Sequence, residues 1–317
     1  MSASGVRPPA IVITGPTASG KSGLALRVAE EFGGTVINAD SMQVYSVLRV
    51  LSARPSPADE ARAPHRLYGV QHPSEPCSAA AWRDLAAAAM AEAWAAGRTP
   101  VLVGGTGLYL RAAMEGLSPV PEIPAAIRAE ARALLARLGN AAFHGLLAQR
   151  DPAIATRLDP SNSQRLARAW EVVEATGRPL SDWQTAPPEG AVAADWLTFA
   201  LLPPRPSLYA ACDGRFRAMV AAGALDEAAA MAALELDPAA PAMKALGLAE
   251  LMAHLRGEIG LDAAVTRGQQ ATRNYAKRQL TWFRHQMPAA RPIAEQFSES
   301  LEQKIFPIIR QFLLTGP

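Results

Sequence analysis

The sequence predicts an α/β protein with a doubly wound parallel sheet and a mostly helical insertion. Three observations carry this: apolar runs alternate with helical periodicity through the N-terminal third, a proline-broken stretch without strand signals follows, and one further apolar run comes after it. Ala10–Thr14 (AIVIT) is a continuous apolar run closed by Gly15, as expected of a buried parallel strand. Over Lys21–Phe32, Leu24, Ala25, Val28 and Phe32 share one helical face, and Gly33-Gly34 stops the helix. Thr35–Asn38 (TVIN) is a second strand that delivers Asp40 at its C-terminal end. Ser78 caps an Ala-rich helix over Ala79–Ala96 that Gly97 closes, and Pro100–Val103 then runs into Gly104-Gly105.

Pro119, Pro121 and Pro124 break this alternation, and helices are expected at about 125–138, 141–149 and 163–176. Trp196–Leu202 restores a strand, and Ser207 to about Gln286 reads as helical with Pro238 and Pro241 as punctuation. A last amphipathic helix is expected near 299–314, interrupted at Pro307. The chain is thereby divided into 1–114, the first part of the core; 115–200, the helical insertion; and 201–317, the completion of the core with C-terminal basic helices.

With 317 residues, 50% hydrophobic and 19% charged, the composition excludes an acidic disordered chain and a collagen-like one. No apolar run reaches the roughly 18 residues of a membrane span, and Met1–Pro9 lacks an apolar stretch behind a basic cluster, so a cytoplasmic protein with no membrane partner is expected. Cys77 and Cys212 have neither disulfide nor zinc spacing and read as buried thiols.

Gly15-Pro16-Thr17-Ala18-Ser19-Gly20-Lys21-Ser22 fits G-x-x-x-x-G-K-[ST] in the required place, after a strand and opening a helix. Successive backbone N–H groups and the helix N-terminus form an anion nest, the Lys21 ammonium adds a point charge, and Ser22 offers a hydroxyl to Mg²⁺. The core is therefore P-loop NTPase-like, and the loop fixes a di- or triphosphate without saying which reaction follows. The chain holds 27 Arg but only four Lys, so Lys21 stands out against the bias. Asp40, beside Ser41 and Gln43, leaves a strand end, where ligands of open α/β sheets bind. It is suited to holding magnesium through water, to accepting a proton as a general base, or to capping a loop. Thr106, in Gly104-Gly105-Thr106-Gly107, faces the same crevice.

Net charge is only +2, yet Ala263–Ala294 contains no Asp or Glu and includes Arg267, Arg273, Lys277, Arg278, Arg284 and Arg291. At about 100° per residue, Arg273, Lys277 and Arg284 fall within about 40° of one another, opposite Tyr275, Trp282 and Phe283. A helix packed on the core and turned toward a phosphate backbone has this pattern. Gln164-Arg165-Leu166-Ala167-Arg168 opens another helix with further polar contacts to offer.

The ordered segments GPTASGKS, NADSMQVY, VGGTGLYLRA, SNSQRLARAWEV and ATRNYAKRQLTWFR resemble the tRNA dimethylallyltransferases, also called isopentenyl-tRNA transferases, from about Ile11 to Arg284. The resemblance implies transfer of a dimethylallyl group from dimethylallyl diphosphate to the exocyclic amine of the adenosine 3′ to the anticodon of tRNA, with Mg²⁺. It implies Asp40 as general base, Gly15 to Ser22 with Arg215 as diphosphate ligands, Lys21 among the catalytic groups, and Thr106 close to the transferred group. It further implies tRNA contacts from Asp40, Ser41, Met42, Gln43, Thr106, Arg128, Gln164, Arg165, Leu166, Ala167, Arg168 and the KRQLTWFR stretch. The chain departs from the family at Leu51-Ser52-Ala53-Arg54-Pro55, where GTAKP is usual, and at Leu248, where tyrosine is usual. A monomer is expected. An adenylate isopentenyltransferase or small-molecule kinase would share the P-loop without a tRNA-sized basic surface. A non-catalytic RNA-binding P-loop protein would keep the basic helix without needing Asp40.

Overall fold

A computed structural model describes residues 7–315; the leader reading at Met1–Val6 lies outside the described residues. Six strands form one all-parallel sheet: β1 (Pro9–Thr14), β2 (Gly34–Asn38), β3 (His65–Arg66), β4 (Thr99–Gly104), β5 (Asp195–Leu201) and β6 (Arg291–Ile293), in the order β3-β2-β4-β1-β5-β6. Parallel strands buried on both faces need apolar residues at consecutive positions, and Ile11, Val12 and Ile13 are all fully buried. The two edge strands escaped the sequence reading for a physical reason. Each is two or three residues long and carries polar side chains or Pro292, which an edge tolerates because one side of its backbone needs no partner.

One compact unit, Met1–Met114 with Val192–Pro317, contains the whole sheet. On one face α1 (Lys21–Glu31) and α13 (Glu299–Thr315) bury Leu24, Val28, Leu301, Ile305 and Ile309 against Ile11, Ile13, Val101 and Phe199. On the other face lie α3 (Ala79–Ala95), α4 (Gly107–Glu115), α9 (Arg205–Ala221), α10 (Ala224–Ala233) and α11 (Leu248–Leu255), packed with Val12, Ile37 and Leu102. The short helix α2 (Pro57–Arg62) starts with a reciprocal capping box between Ser56 and Asp59, and α12 (Leu261–Gln286) packs beside α9. Trp82, stacked on Tyr109 at 4.6 Å, satisfies its buried indole N–H on the Asn38 carbonyl at 2.9 Å. Helix α13 runs through Pro307 uninterrupted, contrary to the sequence expectation, because Pro307 and Gln303, whose carbonyl it leaves free, both face solvent. Cys212 is buried as expected, whereas Cys77 is partly exposed at the start of α3.

The second unit, Glu115–Ala191, is helical: α5 (Ala125–Arg150), α6 (Pro152–Ala155), α7 (Ser163–Thr176) and α8 (Leu180–Thr185). The two helices expected before 150 are one run broken at Gly139, whose φ of 74° lies in the left-handed region. Phe143, Leu147, Ile154, Leu166 and Ala169 form its core. Residues 192–200, assigned by sequence to the insertion, lie instead with the sheet-bearing unit and supply β5.

Candidate active site

Strand register sets the site. Thr14 is level with Gly104, and Asn38 with Val103, so β1, β2 and β4 end together and release three loops at the carboxyl edge of the sheet. Thr14 Oγ1 donates to the Gly104 carbonyl at 2.8 Å, and Ala39 N–H to Val103 at 2.8 Å, which fixes those ends.

The first loop is Gly15–Gly20, with Gly20 capping α1 at φ 86° and Ala18 at φ 64°. The Ser19 hydroxyl is buried without a hydrogen-bond partner among the described residues, so its donor is free to serve an anion held in the loop. Lys21, 9% exposed, lies with Nζ 3.4 Å from the Pro16 carbonyl. Burial lowers its pKa to about 8, with Arg215 acting in the same direction and Asp40 opposing it. Arg215, on α9, donates to Thr17 Oγ1 and is likewise depressed by burial, opposed by the negative charge of Asp40.

The second loop presents Asp40. Asn38 Oδ1 accepts the Asp40 N–H at 2.8 Å while its Nδ2 donates to the carbonyls of Asp40 and Leu67, both at 3.0 Å. Asp40 Oδ1 accepts the Met42 N–H at 2.9 Å, and no described residue bonds Oδ2. Burial and the Asp40 charge together push the phenols of Tyr68 and Tyr275 upward, so Lys21, Arg215, Tyr68 and Tyr275 each lie within electrostatic reach of Asp40. In the third loop Thr106 Oγ1 accepts the Ser41 N–H at 2.9 Å and lies 3.2 Å from Ser41 Oγ, tying the Asp40 turn to the end of β4. Gly107 is glycine because the Trp282 indole lies on it; an added Cβ would meet the ring at 2.1 Å.

The sequence places Gln279 in the KRQLTWFR stretch expected to touch tRNA, but Gln279 is buried and turned toward the loops of the site, a bracing role the sequence reading did not assign. Its Oε1 accepts the Thr17 N–H at 2.8 Å and its Nε2 donates to the Gly105 carbonyl at 2.9 Å, so one buried amide braces the phosphate loop against the third loop. The helical angle held the signal, since Gln279 falls between Tyr275 and Phe283 on the packed face of α12.

Other sequence-derived candidates fall differently. Gln43 is buried and donates to the Ser52 and Ala53 carbonyls, both at 2.9 Å, so its amide holds the divergent 51–55 loop and does not form an open RNA-contacting surface. Glu227 of α10 supports that loop too, accepting the N–H groups of Arg49, Val50 and Leu51. Leu166 and Ala167 belong to the core of the helical unit, which leaves Gln164, Arg165 and Arg168 as the exposed side chains of that run. Arg128 is half-buried, donating to the Ile123 carbonyl at 3.0 Å. Of the basic segment, Lys277, Arg278 and Arg284 are exposed, whereas Arg273 pairs with Asp213 of α9. The acid missing from the segment itself is thus partly supplied by another helix. Among the described residues no cluster of three or more His, Cys, Asp or Glu side chains could cage a metal, and no helix is long and apolar enough to cross a membrane.

A family model described as IPP transferase matches residues 43–286, and one described as isopentenyl transferase matches residues 9–76. The tRNA dimethylallyltransferase of Paramagnetospirillum magneticum is 66% identical over 309 residues, 98% of each chain, and that of Rhodospirillum rubrum is 58% identical, covering 97% of this chain and 96% of its own. Among solved structures, the full-length tRNA isopentenylpyrophosphate transferase of Bacillus halodurans superposes with a TM-score of 0.70 at 30% identity over 98% of each chain. A eukaryotic dimethylallyltransferase acting on tRNA gives 0.83 at 24% identity over 98% of this chain and 80% of its own, a likeness of fold. The match to the family model over 43–286 and the near full-length identity to these bacterial enzymes show that the chain belongs to the tRNA dimethylallyltransferase family.

Proposed function

We propose that this protein transfers the dimethylallyl group of dimethylallyl diphosphate to the exocyclic amine of the adenosine 3′ to the anticodon of tRNA, releasing diphosphate. The observation that carries the reading is the convergence of Lys21 and Arg215 on the phosphate loop within electrostatic reach of Asp40. An allylic carbon–oxygen bond ionises readily, so the main requirement is to stabilise the electron pair that leaves on the diphosphate. The backbone N–H groups of the loop, Lys21 and Arg215 supply positive charge there without consuming a nucleotide. The exocyclic amine is a poor nucleophile because its lone pair is delocalised into the ring, and forming the C–N bond would leave the nitrogen positively charged, so it must give up a proton to a base as the bond forms. Asp40 Oδ2 is the acceptor, while Oδ1 stays on the Met42 N–H and keeps the carboxylate aimed. The adenine has to leave its stack to reach this site, which is easiest from a single-stranded anticodon loop.

Magnesium suits the donor set. The exposed Ser22 hydroxyl and the Asp40 carboxylate are hard oxygen donors too few for a protein cage, and Mg²⁺ keeps several waters and bonds mainly to substrate phosphates. When bound it would add Lewis-acid charge to the leaving group.

Incubating the enzyme with labelled dimethylallyl diphosphate and unmodified tRNA, then digesting to nucleosides, tests the reading; label in one modified adenosine is expected. Transfer to free AMP in preference to tRNA would favour an adenylate isopentenyltransferase instead.

The exposed cations of α12 are proposed to lie along the tRNA backbone. Replacing Lys277 and Arg284 together by glutamine is expected to weaken tRNA binding and to reduce the slope of log K against log salt by about 0.7–0.9 for each phosphate no longer neutralised. Arg273→Gln should change that slope least, since Asp213 already neutralises its charge. A filter-binding salt titration decides: parallel slopes in wild type and double variant would mean that the stripe is only a solvated face.

A further inference from the structure

The segment after β6 lies against the phosphate loop. Gln296 Nε2 donates to the Ala18 carbonyl at 3.1 Å, and the Phe297 N–H donates to the Ser19 carbonyl at 3.3 Å. The Phe297 side chain occupies the space that Gly20 and Gly23 leave open: a Cβ on Gly20 would approach Phe297 Cβ to 2.6 Å, and one on Gly23 its ring to 3.0 Å. The segment is anchored on both sides. Before it, β6 pairs with β5 and the Ile293 carbonyl accepts the Leu202 N–H at 2.7 Å. After it, Glu302 of α13 takes both Nε and Nη2 of Arg27 on α1, at 2.8 and 3.0 Å, and Arg310 reaches Glu31 at 2.9 Å.

Peptide planarity turns these contacts into an orientation. In a trans peptide the C=O and N–H point opposite ways, so a Ser19 carbonyl held by the Phe297 N–H directs the Gly20 N–H away from the C-terminal segment. The loop also asks Ala18 to sit at φ 64°, a region unfavourable for a residue with a Cβ. Capture of two successive carbonyls by the C-terminal segment offsets that cost and opposes relaxation of the loop.

We propose that Gln296 and Phe297 are positioning residues that hold the phosphate loop in its diphosphate-binding conformation, an inference that rests on the reading of this loop as the diphosphate cradle. Neither residue falls within the stretches matched by the family models, 9–76 and 43–286. The test is calorimetric titration of the full chain with inorganic pyrophosphate in magnesium chloride, alongside separate KM values for dimethylallyl diphosphate and tRNA. Gln296→Ala and Phe297→Ala should each weaken pyrophosphate binding and raise the diphosphate KM about fivefold, the usual effect of removing one hydrogen bond or the side chain that supports it. Their KM for tRNA should stay unchanged. Phe297→Leu, which keeps the backbone donor and an apolar side chain, should restore wild-type binding. Pyrophosphate affinities within about twofold of wild type in both alanine variants, or a parallel rise in the tRNA KM, would overturn the proposal. Gln296 is only partly buried, so Gln296→Ala decides the matter should Phe297→Ala fail to fold. If the wild-type protein itself does not bind pyrophosphate, the cradle reading fails and this inference with it, an outcome distinct from normal wild-type binding with unaffected variants.

Discussion

Replacing Asp40 by alanine is expected to leave tRNA binding intact while lowering the single-turnover rate of prenyl transfer by about 10²–10⁴, the range for removal of a general base. Alanine also removes the bond from the Met42 N–H to Oδ1, so the loss mixes proton acceptance with the shape of the turn. Asp40→Asn separates the two. Its amide oxygen can still accept from Met42, and Asn38 and Thr106 still hold the backbone on either side, but it cannot take up the proton. The asparagine variant should therefore be nearly as slow as the alanine variant. If Asp40→Asn reacts within about threefold of wild type on preformed complex, proton acceptance by Asp40 is excluded and the carboxylate only shapes the loop.

Lys21→Ala should lower kcat/KM for dimethylallyl diphosphate by about 10²–10³, the scale for losing one preorganised donor to a developing anion, with little change in tRNA affinity. The ammonium sits in a buried position that already depresses its pKa to about 8, so its charge is lost more easily than that of a surface lysine. A bound diphosphate stabilises the charged form, and above pH 8 binding must draw a proton from solvent. Pyrophosphate affinity should consequently fall by up to about tenfold per pH unit from 8 toward 10, and Lys21→Ala should lose that part of the dependence. The same shift has a stability counterpart of opposite sense. The unfolded chain holds this proton more tightly than the folded one, so this residue makes folding more favourable as pH rises from about 8 to about 10.5. ATP should compete at the loop without being consumed; phosphate release stimulated by tRNA would contradict the transfer mechanism and favour an NTPase.

The phosphate loop and Asp40 were legible because each is a local feature. A strand, a glycine-containing turn and a helix N-terminus within about a dozen residues determine the backbone path, and with it the direction of the N–H groups, before any distant contact forms. The apolar runs of β1, β2, β4 and β5 were legible for a related reason, since burial on both faces leaves little choice of side chain. Polar two- and three-residue edge strands carry no such constraint.

Helical periodicity went halfway. It correctly put Tyr275 and Phe283 opposite Lys277 and Arg284, because angle around an axis depends only on spacing. It could not say what meets each face. Asp213 of α9 pairs with Arg273 across 60 positions, Gln279 reaches Thr17 across 262, and Gln296 reaches Ala18 across 278. Those contacts exist only once packing has brought remote segments together, and the burial that lowers the Lys21 pKa belongs with them. The sequence by itself determined which groups the site can use. Tertiary structure alone decided how they are held and charged, because desolvation and partner choice are properties of the packed chain and have no signature in the order of residues along it.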